Sequence, residues 1–136
     1  MPDVEVFFDT NILLYLLSAD TARADRAEEL IANSGVISVQ VLNEFASVAS
    51  RKLGMSWSEI KEVLSSIRAA CEIEPVTLET HDLGIAIAER YGFSFYDATM
   101  VASALRSGCK ILYSEDLQDR QVIDHKLTIR NPFAVL

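Results

Sequence analysis

An alternation restricts this chain more than any other feature. Short apolar runs rich in β-branched and aromatic residues are separated by longer stretches whose apolar residues recur at helical spacing. The first run is Val4–Phe8, ending on Asp9, and the others are Val36–Ile37, Ile73–Val76, Lys110–Tyr113 and Leu127–Ile129. Between them stand helix-start signals. Thr10 can cap a helix through Ile12–Leu17 that is apolar nearly all round, implying burial, and that ends near Ser18. Asp20 caps a second, apolar at Ala27, Leu30 and Ile31, charged on its other side, and stopped by Asn33 and Gly35. Ser38 caps a third carrying Val41, Leu42, Phe45, Val48 and Ala49, closed by Gly54. Ser56 and Glu59 have capping-box spacing at the start of a fourth. Glu79–Arg90 reads as a fifth, ended by Tyr91 and Gly92. Ser94 and Asp97 repeat the capping-box spacing for a sixth that runs to Gly108. The polar segment Leu117–Lys126 is expected to be irregular, and Pro75 argues against a central place for the third strand.

Strands alternating with helices predict an α/β fold, a three-layer α/β/α sandwich around a mainly parallel sheet. No repeat, low-complexity tract or linker interrupts the chain, so residues 1–136 are expected to form one domain.

This topology decides where acidic residues meet. Parallel strands joined by helices bring all their carboxyl ends to one edge, where open α/β sheets bind ligands. Asp9 ends the first strand and Asp116 follows the fourth by three residues. Asp97 starts a helix entered from the same edge, and Glu44 lies within two turns of the start of the helix after Ile37. Each has a plainer reading. Asp9 can be a turn residue favoured by a helix dipole, Asp97 the third-position acid of a capping box, and Asp116 a loop acid beside Glu115 and Asp119. Glu44, between Leu42 and Phe45, sits at the lip of the core or inside a cleft, and it needs a partner there.

Charge argues for reading the four together. Like charges at about 4 Å repel by roughly 4 kcal/mol at an effective dielectric of 20, so a carboxylate cluster calls for protonation or a cation. Mg²⁺ or Mn²⁺ suits carboxylate and water ligation better than zinc. Such an ion polarises a phosphoryl oxygen, activates water and steadies a leaving oxygen. It also reconciles phosphodiester chemistry with a formal charge of −8, from 12 basic and 20 acidic side chains, which excludes nucleic-acid binding by a general basic surface.

FFDTNILLYLL, the acid in VLNEF, SFYDATMVASAL and ILYSEDLQD, in this order and at these separations, resemble the signature of PIN domains. Within that family they resemble specifically the VapC-type toxins of toxin–antitoxin pairs. The resemblance runs from Val4 to the closing TIRNPF. It implies a metal-dependent endoribonuclease using Mg²⁺ or Mn²⁺, usually a homodimer, with RNA as substrate and a cognate antitoxin whose tail blocks the site. By the same resemblance Asp9, Asp97 and Asp116 are the metal ligands, and Glu44 orients water or a second ion. Ser114 matches the hydroxyl residue two before the last acid, and Asn11 supports the cluster by hydrogen bonds. A small residue, often glycine, is the family's habit near Arg120, where this chain has DRQ.

Two other functions compete. A phosphomonoesterase or phosphotransferase with an aspartyl nucleophile would want a second aspartate two residues after Asp9, and that position is Asn11. A non-catalytic phospho-acceptor module would want paired acids before the first strand end and a lysine after a late strand; neither is clear. His81, His125 and Trp57 are read as surface or packing residues. Cys71 and Cys109 lack metal-ligand spacing and are expected to be reduced core residues of a cytoplasmic protein. No leader-like segment or membrane-length apolar run is present, so no membrane association is expected.

Overall fold

The computed structural model describes residues 5–134, and the proposed start of the first strand at Val4 lies outside them. Six strands form one sheet: β1 (Val6–Phe8), β2 (Gly35–Ser38), β3 (Cys71–Glu74), β4 (Ile111–Tyr113), β5 (Val122–Ile123) and β6 (Leu127–Arg130). Their spatial order is β3-β2-β1-β4-β6-β5. Every pairing is parallel except β5 with β6. The helices are α1 (Thr10–Leu14), α2 (Thr21–Ala32), α3 (Val39–Arg51), α4 (Trp57–Ala70), α5 (Leu78–Tyr91) and α6 (Phe95–Arg106).

Consecutive strand residues face opposite sides of a sheet. Phe7 and Phe8 are both fully buried, as is Ile37, with Val36 nearly so, which shows that the middle of the sheet is covered on both faces. This is the expected sandwich with a mainly parallel sheet. At β4 and β6 the cover is one-sided. Leu112 and Ile129, in register, are buried, while Tyr113 is half-buried and its partner Arg130 exposed.

Local chemistry places the elements. Ser56 and Glu59 make the complete capping box expected for α4. Asp20 and Ser38 cap α2 and α3 as read from sequence. The cap of α1 is a correction: it is Asp9, whose carboxylate accepts from the Thr10 amide, because the chain leaves β1 in extended geometry at Asp9 and is helical from Thr10. The expected burial of this helix is also only partial. Ile12 and Leu13 are buried, but the chain tightens into a 3-10 turn at Tyr15–Leu17 with no buried residue. The third strand begins two residues earlier than predicted and ends before Pro75, at the sheet edge, where the missing amide matters least. The segment Leu117–Lys126 is not wholly irregular, since β5 folds back on β6 within it.

Two glycines are required by close approach. A Cβ on Gly35 would stand 2.4 Å from the Phe8 ring, and one on Gly84 in α5 would stand 2.6 Å from Thr99 Cγ2 in α6. Gly35 therefore does more than stop α2: it is the first residue of β2 and makes room for Phe8. Cys71 and Cys109 are buried free thiols, and burial pushes Cys71 up to about 11.

Candidate active site

Moving from β1 through β2 to β3, the chain steps to one side of β1, and β4 then falls on the other. The strand order thus reverses between β1 and β4, and the carboxyl ends there form the crevice that open α/β sheets use for ligands. Asp9 stands at that point. Its amide extends the β1–β4 ladder by donating to the Tyr113 carbonyl (3.0 Å).

Asp9 is only 7% exposed, and each of its oxygens is held. Oδ1 accepts from the Thr10 amide (2.6 Å) and Oδ2 from the Ser114 hydroxyl (2.7 Å), with Asn11 Nδ2 at the long limit of 3.5 Å. Burial pushes the Asp9 carboxyl up to about 6. The Ser114 and Thr10 hydrogen bonds oppose that rise, and the charges of Asp116 and Asp97 add to it. Both neighbours are therefore close enough to be felt electrostatically. Ser114 is itself fully buried and accepts from the amides of Asp116 (3.2 Å) and Leu117 (3.3 Å), so one hydroxyl orients Asp9 and shapes the turn that presents Asp116.

Asp97 occupies the third position of α6, but the capping box is only half made. The Ser94 hydroxyl accepts from the Asp97 amide (3.3 Å), and the reciprocal bond from the Ser94 amide to the Asp97 carboxylate is absent. That carboxylate makes no capping bond, and its charge is felt at Asp9, which weakens the plain reading of Asp97. Glu44 has the partner its position demanded. Its Oε2 accepts from Thr10 Oγ1 (2.8 Å) and its Oε1 from Gln40 Nε2 (3.2 Å).

Gln40 also donates to the Tyr96 carbonyl (3.1 Å) and accepts from Thr99 Oγ1 (2.9 Å). A continuous chain of hydrogen bonds thus runs from the residue after Asp9, through Glu44 and Gln40, to the residues flanking Asp97 in α6. Sequence reading missed Thr10, Gln40 and Thr99 as members of this chain. The i, i+4 spacing of Gln40 and Glu44 was a signal for one link, whereas the links to α1 and α6 join residues far apart in sequence.

A second cluster braces the loop after β4. Glu115 accepts from the Tyr15 hydroxyl and pairs with Arg23 (2.7 Å), whose guanidinium lies 5.3 Å from the centre of the Tyr15 ring. The residue between Ser114 and Asp116 is thereby tied to the start of α2.

The donor set suits a hard cation. It offers carboxylate oxygens and a buried Asn11 Oδ1 that lacks a partner, with no sulfur or imidazole. Among the described residues, no three acidic, histidine or cysteine side chains converge as a ready-made cage. The oxygen donors present suit Mg²⁺ or Mn²⁺, which keep several waters and take only one or two carboxylates directly. His81 packs edge-to-face on Phe95 and His125 lies exposed in a turn, so neither belongs to the site.

The PIN-domain family profile matches residues 6–122. Solved structures with the same fold include a VapC20 of Mycobacterium tuberculosis that is a sarcin-ricin loop cleaving toxin. It is 25% identical, with a TM-score of 0.66 over 82% of this chain and 89% of the other. A toxin–antitoxin complex from Klebsiella pneumoniae is 18% identical, with a TM-score of 0.71 over 93% and 97%. A DNA-bound VapBC from Salmonella typhimurium is 17% identical, with a TM-score of 0.68 over 95% and 98%. No curated protein sequence matches significantly.

Proposed function

The chain belongs to the PIN-domain family, and from that premise we propose that it is a Mg²⁺- or Mn²⁺-dependent endoribonuclease, the toxin of a toxin–antitoxin pair. The observation that carries this reading is the buried Asp9 at the β1–β4 reversal, with the charges of Asp97 and Asp116 acting on it. The toxin assignment is supported by the relatives, which include an RNA-cleaving toxin and complexes with antitoxins. An antitoxin partner and a homodimer belong to the same proposal. One continuous sheet supports reading residues 1–136 as a single domain, and no helix among the described residues is long and apolar enough to cross a membrane.

In this reading Asp9 and Asp97 would be the principal ligands of the ion, and Asp116 would complete the set directly or through water. Bound there, such an ion would supply the positive charge that an acidic protein needs to meet a phosphodiester and would make a bound water more nucleophilic. The chain's own residues set the geometry. Ser114 and the Thr10 amide fix the Asp9 carboxylate so that it cannot rotate away, and Asn11 backs it. Glu44, held by Thr10 and Gln40, retains lone pairs that can accept a hydrogen bond from the attacking water and orient it. The aspartyl-nucleophile alternative is disfavoured because Asn11 offers no acid at the second position after Asp9.

Incubating the purified chain with structured RNA, in Mg²⁺, Mn²⁺ or EDTA, tests the proposal. Cleavage should need the metal and be lost in Asp97→Asn. Cleavage that persists in EDTA, or is unchanged in that variant, would overturn it. Parallel incubations with a phosphomonoester and with acetyl phosphate test the other two chemistries.

A further inference from the structure

Arginines gather in one place on this acidic chain. A groove of about 260 Å³ opens between α2 and the uncovered face of β4 and β6, and Arg26, Arg120 and Arg130 all line it, against a single carboxylate, Asp119. Asp119 neutralises them only loosely, standing 3.7 Å from Arg130 and 3.9 Å from Arg120. One of its oxygens also accepts from the Asn131 amide (2.8 Å). Arg26 donates to the Pro132 carbonyl (3.2 Å) and pairs with Glu29 (3.2 Å), which fixes its guanidinium at the groove wall.

The groove adjoins the acidic rim. β4 and β6 run parallel and end together, and the Ser114 amide donates to the Arg130 carbonyl (3.0 Å), so the residue that orients Asp9 is bonded to one of the three arginines. The backbone at Arg120 adds an independent observation. Its φ is +70°, a left-handed conformation that L-residues other than asparagine, aspartate and histidine seldom adopt. Hydrogen bonds from the Arg120 amide to the Ile129 carbonyl (2.7 Å) and from the Ile129 amide to the Gln121 carbonyl (2.8 Å) hold it there. A position suited to glycine thus carries a long cation beside a groove, and such retained strain points to use of the side chain.

We propose that this groove is a phosphodiester subsite, in which Arg120 and Arg130, with Arg26 at the wall, hold the backbone of single-stranded RNA next to the acidic rim. The proposal rests on the ribonuclease reading. It also answers the charge problem locally, since binding energy comes from guanidinium–phosphate contacts beside the site and not from the surface as a whole.

The test measures binding of a labelled, mixed-sequence single-stranded RNA by fluorescence anisotropy across roughly 50 to 200 mM KCl. The Asp9→Asn background keeps the strand intact, and the unmodified chain is assayed in parallel for cleavage of the same RNA in Mn²⁺. Arg120→Gly should lower the slope of log Kd against log salt by about 0.7 and weaken binding about fivefold near 0.1 M salt. Adding Arg130→Gln should bring the total fall in slope to about 1.4 and the total loss of affinity to about 25-fold. Arg120→Gly should also leave the melting temperature unchanged or raised, because glycine relaxes the left-handed backbone, so lost binding cannot be ascribed to unfolding. If the unmodified chain cleaves RNA but the arginine variants keep its Kd and salt slope, the groove proposal falls and the nuclease reading stands. If the chain neither binds nor cleaves RNA, both fall. Weakened binding of a glutamate-rich peptide with RNA binding intact would make the groove a protein-docking site and overturn the proposal.

Discussion

Replacing Asp9 by asparagine should make the metal-free protein more stable at neutral pH and less stable in acid, and the crossover measures how strongly the fold holds this carboxylate at the rim against its own charge. The Asp9 carboxyl rises from an ordinary 3.8 to about 6, chiefly by burial. The folded state therefore holds its proton more tightly than the unfolded chain does. Between these two values folding takes up a proton, so stability falls as pH rises through the window, and the loss is complete above the folded value. At about 1.4 kcal/mol per pH unit, the full effect is about 3 kcal/mol, of which roughly 2 to 3 kcal/mol falls between about pH 4 and pH 7.5. Asparagine has no such slope. Its amide nitrogen would face Ser114 Oγ, which already accepts two backbone amides, and that mismatch costs about 1 kcal/mol at every pH. Asp9→Asn should therefore be about 1 kcal/mol less stable than the parent in acid and about 2 kcal/mol more stable near pH 7.5. Urea unfolding followed by far-ultraviolet circular dichroism in EDTA, repeated across the pH range, reads the difference directly. Parallel stability profiles for the two proteins would refute the reasoning, since they would mean that Asp9 ionises as freely in the fold as in the unfolded chain.

Other outcomes follow from the same contacts. A divalent ion that binds at the rim should stabilise the parent by about 1.4 kcal/mol at ten times its Kd; thermal unfolding with and without Mn²⁺ checks this, and Asp9→Asn and Asp97→Asn should lose the increment. Ser114→Ala removes the hydrogen bond that holds the Asp9 pKa down and leaves the Asp116 and Leu117 amides without their acceptor. It should cost about 1 to 3 kcal/mol and move the Asp9 titration, followed by carboxyl-carbon NMR, to higher pH. Gly84→Ala forces a methyl to within 2.6 Å of Thr99 Cγ2 and 3.3 Å of its Cα. The α5–α6 contact must open, at about 1 to 3 kcal/mol, seen as a lower urea midpoint with an unchanged slope; because Asp97 rides on α6, RNA cleavage should fall with it.

The four acids illustrate how far local signals reach. Each was proposed from its place relative to a strand end or a helix start, because parallel crossovers leave little choice about which edge those positions occupy. The signals misjudged the roles of neighbours. Thr10 reads as a cap, yet the cap is Asp9, and Thr10 instead uses its hydroxyl to hold Glu44. Ser94 and Asp97 read as a capping box, yet only the serine half forms, and this is what leaves the Asp97 carboxylate available. Spacing alone does not tell a capping acid from a free one, since both present the same residue at the same helical position.

By itself the sequence determined the α/β class, the strand and helix succession apart from β5, and the caps at Asp20, Ser38 and Ser56. These rest on periodicity and short-range hydrogen bonding, which act within a few residues. Tertiary structure alone decided the relay from Thr10 through Glu44 and Gln40 to α6, the brace of Tyr15 and Arg23 on Glu115, the folding back of β5, and the arginine groove. In each of these the partners lie far apart in sequence, and which of them meet depends on how the helices pack and where the sheet is left uncovered.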